Sequence, residues 1–272
     1  MGSAAMVKAA LAEDIGSGDL TAQLLPENTT VNAQIITRDN MVCCGQAWVE
    51  EAFKQVDPDT QVTWHVQDGE AVSAGTTLFS VTGNARSLMT AERTALNFLQ
   101  LLSATATTTK TYVDKIAHTS CRLLDTRKTL PLYRDAQKYA VRCGGGHNHR
   151  VGLFDAFLVK ENHILAAGSL TAAVAHARQI NDAVCLEVEV ETLPELQQAL
   201  EARVDRVMLD NFSLADIAQA VVLAKGQVEL EVSGNVTLDN ITEYAESGVD
   251  FISVGAITKH IHAIDLSMRV VE

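Results

Sequence analysis

The chain has 272 residues and a mass of 29.3 kDa, with 47% hydrophobic and 5% aromatic residues, enough for one large core or two unequal domains and too apolar for a disordered tail protein. Twenty-one Lys and Arg against 34 Asp and Glu leave a formal net charge of −13, which argues against nucleic-acid or anionic-membrane partners. Positions 121–160 reverse that sign, with eight Lys/Arg and three acids for +5 and −18 elsewhere, so a pocket for a small, highly anionic ligand is expected.

Five cysteines (Cys43, Cys44, Cys121, Cys143 and Cys185) with no C-x-x-C pair suit a reduced protein without a structural metal. No apolar run reaches bilayer-spanning length, and Glu13, Asp14 and Asp19 stand where a secretion signal would be apolar. A cytoplasmic protein is expected.

Over the first 120 residues, AQIITRDNMVCCG and TQVTWHVQDGEAVSAGTTLFSVTG carry the alternation and Gly/Asp turns of antiparallel strands, with the helix VEEAFKQV between them. A long helical stretch, SLMTAERTALNFLQLLSATATTTKTYVDKIA, follows, with Arg93 near its start. These segments predict an α+β open-sandwich domain over 1–117. DLSMRVVE, within 262–272 apart from its neighbours, reads as one more strand that returns to it.

From Cys121 onward, β-rich runs (CRLLDT, AFLVK, AVCLEVE, RVMLD, VELEVSG, FISVGA) alternate with amphipathic helical segments (YRDAQKYAVRC, LTAAVAHARQI, LPELQQALEAR, LADIAQAVVLAK, LDNITEYAESG). Ser169, Thr192 with Pro194, Ser213 and Thr237 supply helix-start signals. Such alternation means βαβ units and a parallel sheet. Six strands, where a standard barrel has eight, predict a reduced six- or seven-stranded α/β barrel over 118–261.

Polar residues gather at the carboxyl ends of these strands, the edge on which α/β folds build their sites. Arg127 and Lys128 follow the first run; as an adjacent pair they suit either a solvated loop or a ligand. GGGHNHR adds Gly144–Gly146, His147, His149 and Arg150; three glycines exceed what a helix stop needs and permit close backbone approach. Lys160 ends a buried run, either as a cation for phosphate or carboxylate or as a Schiff-base amine, with His163 supporting its loop. Glu189 and Asp210 suit sugar hydroxyls or water on a Mg²⁺ held mainly by substrate phosphates; Glu187 and Glu191 share a strand face with Glu189, and spacing alone does not choose among them. Ion pairing with Lys160 or Arg127 is their simpler use. VSGN (Ser233, Gly234, Asn235) and VGA (Gly255) end the last two strands, where barrels often bind a phosphate through backbone N–H groups and a helix start. No Ser/His/Asp nucleophile set and no Rossmann fingerprint is present.

In this order and spacing, DTRKTLP, KYAVRCGGGHNHRVGLFDAFLVKENHI, EVEVET, MLDNF, EVSGNVT and ISVGAIT, with AERTALN and EDIGSGDLT upstream, closely resemble quinolinate phosphoribosyltransferases. The resemblance covers essentially the whole chain. It implies a pentosyltransferase of de novo NAD synthesis that converts quinolinate and phosphoribosyl pyrophosphate into nicotinate mononucleotide, pyrophosphate and CO₂ with Mg²⁺, as a homodimer or higher homo-oligomer. Carried over by motif, Arg127, His149 and Arg150 would hold the pyridine dicarboxylate, with Arg93 donated from a partner subunit. Lys128 and Lys160 would face carboxylates and pyrophosphate, Glu189 and Asp210 the ribose and metal, and Ser233, Gly234, Asn235 and Gly255 the 5′-phosphate. Glu189 is preferred to its neighbours because it keeps the family's spacing to Asp210. One departure stands out: where the family usually has Gly-Leu-Arg, this chain has Leu132-Tyr133-Arg134. A phosphoribosyltransferase for nicotinate, a Lys160 Schiff-base aldolase and a non-catalytic phosphosugar sensor are the competing readings.

Overall fold

The computed structural model describes residues 2–271. In chain order its elements are α1 (Ser3–Ile15), β1 (Thr30–Thr37), β2 (Met41–Val42), α2 (Gln46–Val56), β3 (Gln61–Trp64), β4 (Ala71–Val72), β5 (Thr77–Asn84), α3 (Ala85–Ile116), β6 (Arg122–Leu124) and α4 (Arg134–Cys143). They continue with β7 (Phe157–Val159), α5 (Glu161–Ala167), α6 (Leu170–Ile180), β8 (Leu186–Val190), α7 (Leu193–Glu201), β9 (Arg206–Asp210), α8 (Leu214–Ala224), β10 (Glu229–Ser233), α9 (Ile241–Glu246), β11 (Phe251–Ser253), α10 (Ala256–Lys259) and β12 (Leu266–Val271).

These elements form two units. The first takes the described residues up to Lys110, Leu130–Gly145 and those from Ile257 onward; the second takes Thr111–Thr129 and Gly146–Ala256. The sequence alone predicts one boundary near 117, with α4 in the barrel. The structure instead gives α4 to the first unit, because Ala136 and Ala140, both fully buried, join that unit's core.

In the first unit, an antiparallel sheet runs β12-β1-β5-β3. Alternation on β1 buries Ala33, Ile35 and Thr37 and exposes the opposite face, so the pairing register is strongly fixed. β12 pairs antiparallel with β1, from Asn32↔Val271 to Thr37↔Leu266. The core closes over this sheet with α2 (Trp48, Val49, Ala52, Phe53) and the apolar stripe of α3. Phe79 stacks at its centre, 4.4 Å from Trp64 and 6.3 Å from Phe53. Helix α1 packs on α2 through Met6, Val7 and Leu11; alanines dilute that stripe, and the sequence reading passed over it.

The second unit carries six parallel strands in the order β6-β11-β10-β9-β8-β7. Ser169, Thr192 and Ser213 each accept a hydrogen bond from a backbone N–H in the first turn of α6, α7 and α8, as their residue types anticipate. One face of the sheet is apolar, with Val188, Val190, Val207, Leu209, Leu230 and Val232 buried. The other face is polar: register aligns Glu187, Arg206 and Glu229 across three strands, and Asp210 with Ser233. Six flat strands would hold the outer two about 24 Å apart, yet side chains following both line one cavity of about 550 Å³, so the sheet is curled around its polar face. Among the described residues β6 and β7 share no ladder; a single parallel bridge, Leu124↔His147, reaches β6 from the loop before β7. The strand count is therefore six.

Candidate active site

The cavity at the carboxyl ends of the strands lies within the second unit. Its walls include Arg127, Lys128, His149, Arg150, Lys160, Glu189, Asp210, Ser233, Gly234 and Asn235, ten of the twelve residues expected from sequence. Gly255 stands behind the wall: a Cβ there would lie 3.0 Å from Lys128 Cδ and 3.4 Å from Thr126 Oγ1, so its bareness makes room for the Lys128 stem. Arg93 is exposed on α3 in the first unit. The local charge surplus divides as well. Arg134, Lys138 and Arg142 sit on α4 in the first unit, Lys138 being buried there. Arg127, Lys128, Arg150 and Lys160 are the cations that line the cavity.

Asp125, which the sequence reading counted only as a charge, organises the cationic rim. It is fully buried; its Oδ1 accepts the His149 N–H (2.8 Å) and its Oδ2 the Asn148 side-chain amide (2.6 Å). With Asp125 N–H donating to His147 O and His147 N–H to Leu123 O, the segment after β6 and the GGGHNHR loop become one structure. Its signal was present in D-T-R-K, since a buried carboxylate at a strand end must find donors.

His149 is held at both ring nitrogens. Arg150 N–H donates to Nδ1 at 2.8 Å, which leaves that nitrogen without a proton. Nε2 lies 2.8 Å from Glu187 Oε2 and 3.5 Å from Glu231 Oε2, though the angles depart from straight hydrogen bonds. Glu187 and Glu231 form a buried acid pair beneath the cavity. Burial pushes Glu187 up to about 7, and burial with the adjacent Glu187 pushes Glu231 up to about 8. Arg206 sits 3.7 Å from Glu231, with its guanidinium 4.0 Å over the Phe251 ring. Depth along β8 thus separates the three glutamates of EVEVE: Glu187 is sealed, Glu189 reaches the cavity, and Glu191 lies past the strand end, its N–H donating to Glu195.

Lys160 Nζ and Glu189 Oε2 form an ion pair inside the cavity. His163 Nδ1 accepts the Lys160 N–H at 3.0 Å, the supporting role expected of it, although it does so from α5, a helix where a loop was expected. Burial and then Glu189 raise the Asp210 carboxyl, against the pull of Lys160, Asn211 and Lys128. Burial and the adjacent Arg127 hold the Arg150 guanidinium below its usual value. Both perturbations describe groups crowded by their own kind, which an anion at the arginines and a cation or hydroxyl at the acids would relieve.

On the opposite wall Gly234 adopts φ +95°, and a Cβ there would collide with Asn211 Oδ1. Asn211 also accepts from Asn235 Nδ2 (3.1 Å) and donates to Asp210 Oδ2 (2.8 Å). Backbone and short polar side chains therefore form this wall. The helix start expected here lies elsewhere, since α9 begins only at Ile241.

Family models for the quinolinate phosphoribosyl transferase N-terminal and C-terminal domains match residues 19–103 and 105–269. A probable nicotinate-nucleotide pyrophosphorylase [carboxylating] of Synechocystis is 43% identical over 96% of this chain and 90% of its own length. A counterpart from Bacillus subtilis is 37% identical over 95% and 90%. The solved nicotinate-nucleotide pyrophosphorylase of Francisella tularensis superposes with a TM-score of 0.97 at 53% identity, covering 98% of this chain and 95% of that one. With both domain models matched in order and a relative 43% identical over nearly the whole chain, the chain belongs to the quinolinate phosphoribosyltransferase family.

Proposed function

We propose that this protein transfers the phosphoribosyl group of phosphoribosyl pyrophosphate to quinolinate with loss of CO₂, giving nicotinate mononucleotide and pyrophosphate. The observation that carries this reading is the cavity itself: four cations and two carboxylates, delivered from strand ends and from the loop before β7, face one space of about 550 Å³. That is the demand made by two ring carboxylates, a 5′-phosphate and a pyrophosphate held together.

In this reading Arg127 and Arg150, with His149, fix the pyridine dicarboxylate, planar guanidinium forks being suited to bidentate carboxylates. Lys128 and Lys160 face the second carboxylate and the pyrophosphate. Ser233, Gly234 and Asn235 receive the 5′-phosphate, and Gly255 keeps Lys128 in place. Glu189 and Asp210 take the ribose hydroxyls. The two carboxylates, hard oxygen donors that crowd one another, fit a Mg²⁺ that draws most of its ligands from the substrate; when bound, it would offset the charge gathering on departing pyrophosphate. The pyridine nitrogen attacks C1 of the ribose as the C1–O bond to pyrophosphate breaks, and alignment by the arginines supplies much of the rate. The ring nitrogen, then cationic, stabilises the carbanion left when the neighbouring carboxylate departs as CO₂. No dedicated general base is required.

The Schiff-base reading fares poorly, because Lys160 is paired with Glu189 and 44% exposed at its side chain, whereas such chemistry uses a dry, unpaired amine. We further propose a homodimer or larger assembly in which Arg93 of a second copy completes the site. Leu153 and Phe154, exposed on the loop after Arg150, offer apolar surface for it to cover. A cytoplasmic setting suits the five free cysteines, and no described helix is long and apolar enough to cross a membrane. An assay that follows CO₂ and pyrophosphate together from quinolinate tests the assignment. Equimolar release is expected, whereas preferential turnover of nicotinate without CO₂ would overturn it.

A further inference from the structure

In the first unit, and not among the residues lining the cavity, Cys44 and Cys143 meet. Their sulfurs and a carboxylate oxygen of Asp68 all lie within 4.8 Å of one another. Cys44 is fully buried and anchored through its backbone, its N–H donating to Ser103 Oγ at 3.0 Å and its carbonyl accepting from the same hydroxyl at 3.2 Å. Cys143, the last residue of α4, is partly exposed. Of the two residues, Cys143 is the more exposed and Cys44 the fully buried one.

A soft metal is the other use for such a cluster, and the hydrogen bonds disfavour it. Asp68 Oδ1 already accepts from Gly45 N–H (2.9 Å) and Gln46 N–H (3.3 Å), and Oδ2 accepts from Tyr139 OH (2.7 Å). A carboxylate so engaged supports its surroundings and has little left for a metal, and two thiols without it fall short of a tetrahedral set.

We propose that Cys143 is a peroxide-reactive thiol and that Cys44 resolves it to a reversible intramolecular disulfide. Cys143 attacks one oxygen of hydrogen peroxide as its thiolate; the O–O bond breaks, and sulfenic acid and hydroxide form. The Cys44 thiol then attacks the sulfenic sulfur, its proton leaving with the displaced hydroxyl as water. In sum two thiols and one peroxide give one disulfide and two waters. The surroundings favour this division of labour. The neighbouring Cys44 thiol, followed by Tyr139 and Arg142, lowers Cys143 against the effect of burial, while the neighbouring Cys143 sulfur and burial raise Cys44. Cys43, next in sequence and fully buried, is pushed up by burial and Asp68, and is a weaker competitor.

Peptide mapping after treatment of the purified protein with hydrogen peroxide tests this. Trypsin leaves Cys143 at the head of CGGGHNHR and Cys43 with Cys44 in DNMVCCGQAWVEEAFK. Two thiols should be lost together, with a crosslink between these peptides that dithiothreitol reverses and that persists in C43S. In C44S, dimedone should trap a sulfenic acid on Cys143. In C143S, Cys44 should stay reduced while quinolinate turnover matches the unmodified protein, which reports intact folding. A crosslink through Cys43, absence of dimedone labelling in C44S, or zinc retained stoichiometrically by the protein as purified would each overturn the proposal.

Discussion

Glu187 and Glu231 lie below the cavity floor, buried almost completely, and a proton is easier to keep there than a second negative charge. Both carboxyls have native values above the ordinary 4.5, at about 7 and about 8, so the native state binds more protons than the unfolded chain across that interval. Their contribution to stability is complete below pH 4.5 and is lost as pH rises through 7 and 8. Denaturant midpoints measured at several pH values from about 5 to about 8 should fall with rising pH, and E231Q should flatten the decline. An unchanged slope in E231Q would assign the loss to other groups. These acids also mark where residue-level reading of the sequence stopped. Period-two spacing put Glu187 and Glu189 on one face, as found, but depth along the strand decides which is sealed and which meets a ligand, and spacing does not encode depth. Asp125 went unremarked for a related reason: its partners, Asn148 and His149, come from a loop more than twenty positions away.

At the scale of elements, the entry to α4 holds the chain's clearest local conflict. Leu132 adopts φ +63° and is 81% exposed, a left-handed conformation that costs a residue with a Cβ about 1–2 kcal/mol. It is also the position at which the resembled family usually carries glycine. L132G should therefore raise unfolding free energy by about 1 kcal/mol with turnover unchanged, measured by denaturant unfolding beside the quinolinate assay. A loss of stability would show that packing of the leucine beside Pro131 and Tyr133 outweighs the strain. Elsewhere the elements with strong local signals were legible: α6, α7 and α8 begin where Ser169, Thr192 and Ser213 can cap them. Helix α5 was missed because Glu161–Ala167 buries no residue and so has no apolar stripe. The amphipathic pattern of α4 was visible, but not which core its alanines would enter, since a buried stripe fits either of two neighbours.

For the whole molecule, the decisive question is whether one chain makes one site. The cavity is walled by the second unit alone, while Arg93 belongs to the first. If a second copy supplies Arg93, R93A and R127A subunits, each inactive alone, form heterodimers with one intact site of two. A randomly assorted equal mixture should recover about a quarter of wild-type activity, read after mass-spectrometric verification of mixed assemblies. Verified heterodimers with no activity would remove the shared site. Fold class was legible at this scale because strand–helix alternation admits few architectures, and so was the return of the last strand to the first unit; the place of Leu130–Gly145 in that unit was not, because it depends on contacts between distant segments.

The interleaving of the units bears on how the protein is made. β1 leaves the ribosome before either of its partners, with one edge fitted to β5, but its other edge is completed by Leu266–Val271, which follows only after the whole second unit. Every strand of the second unit has emerged by Ser253, so that unit can close while the first still presents an open strand. For this interval the nascent chain offers a free sheet edge of the kind that recruits other chains, and chaperone dependence should concentrate between the emergence of β1 and that of β12.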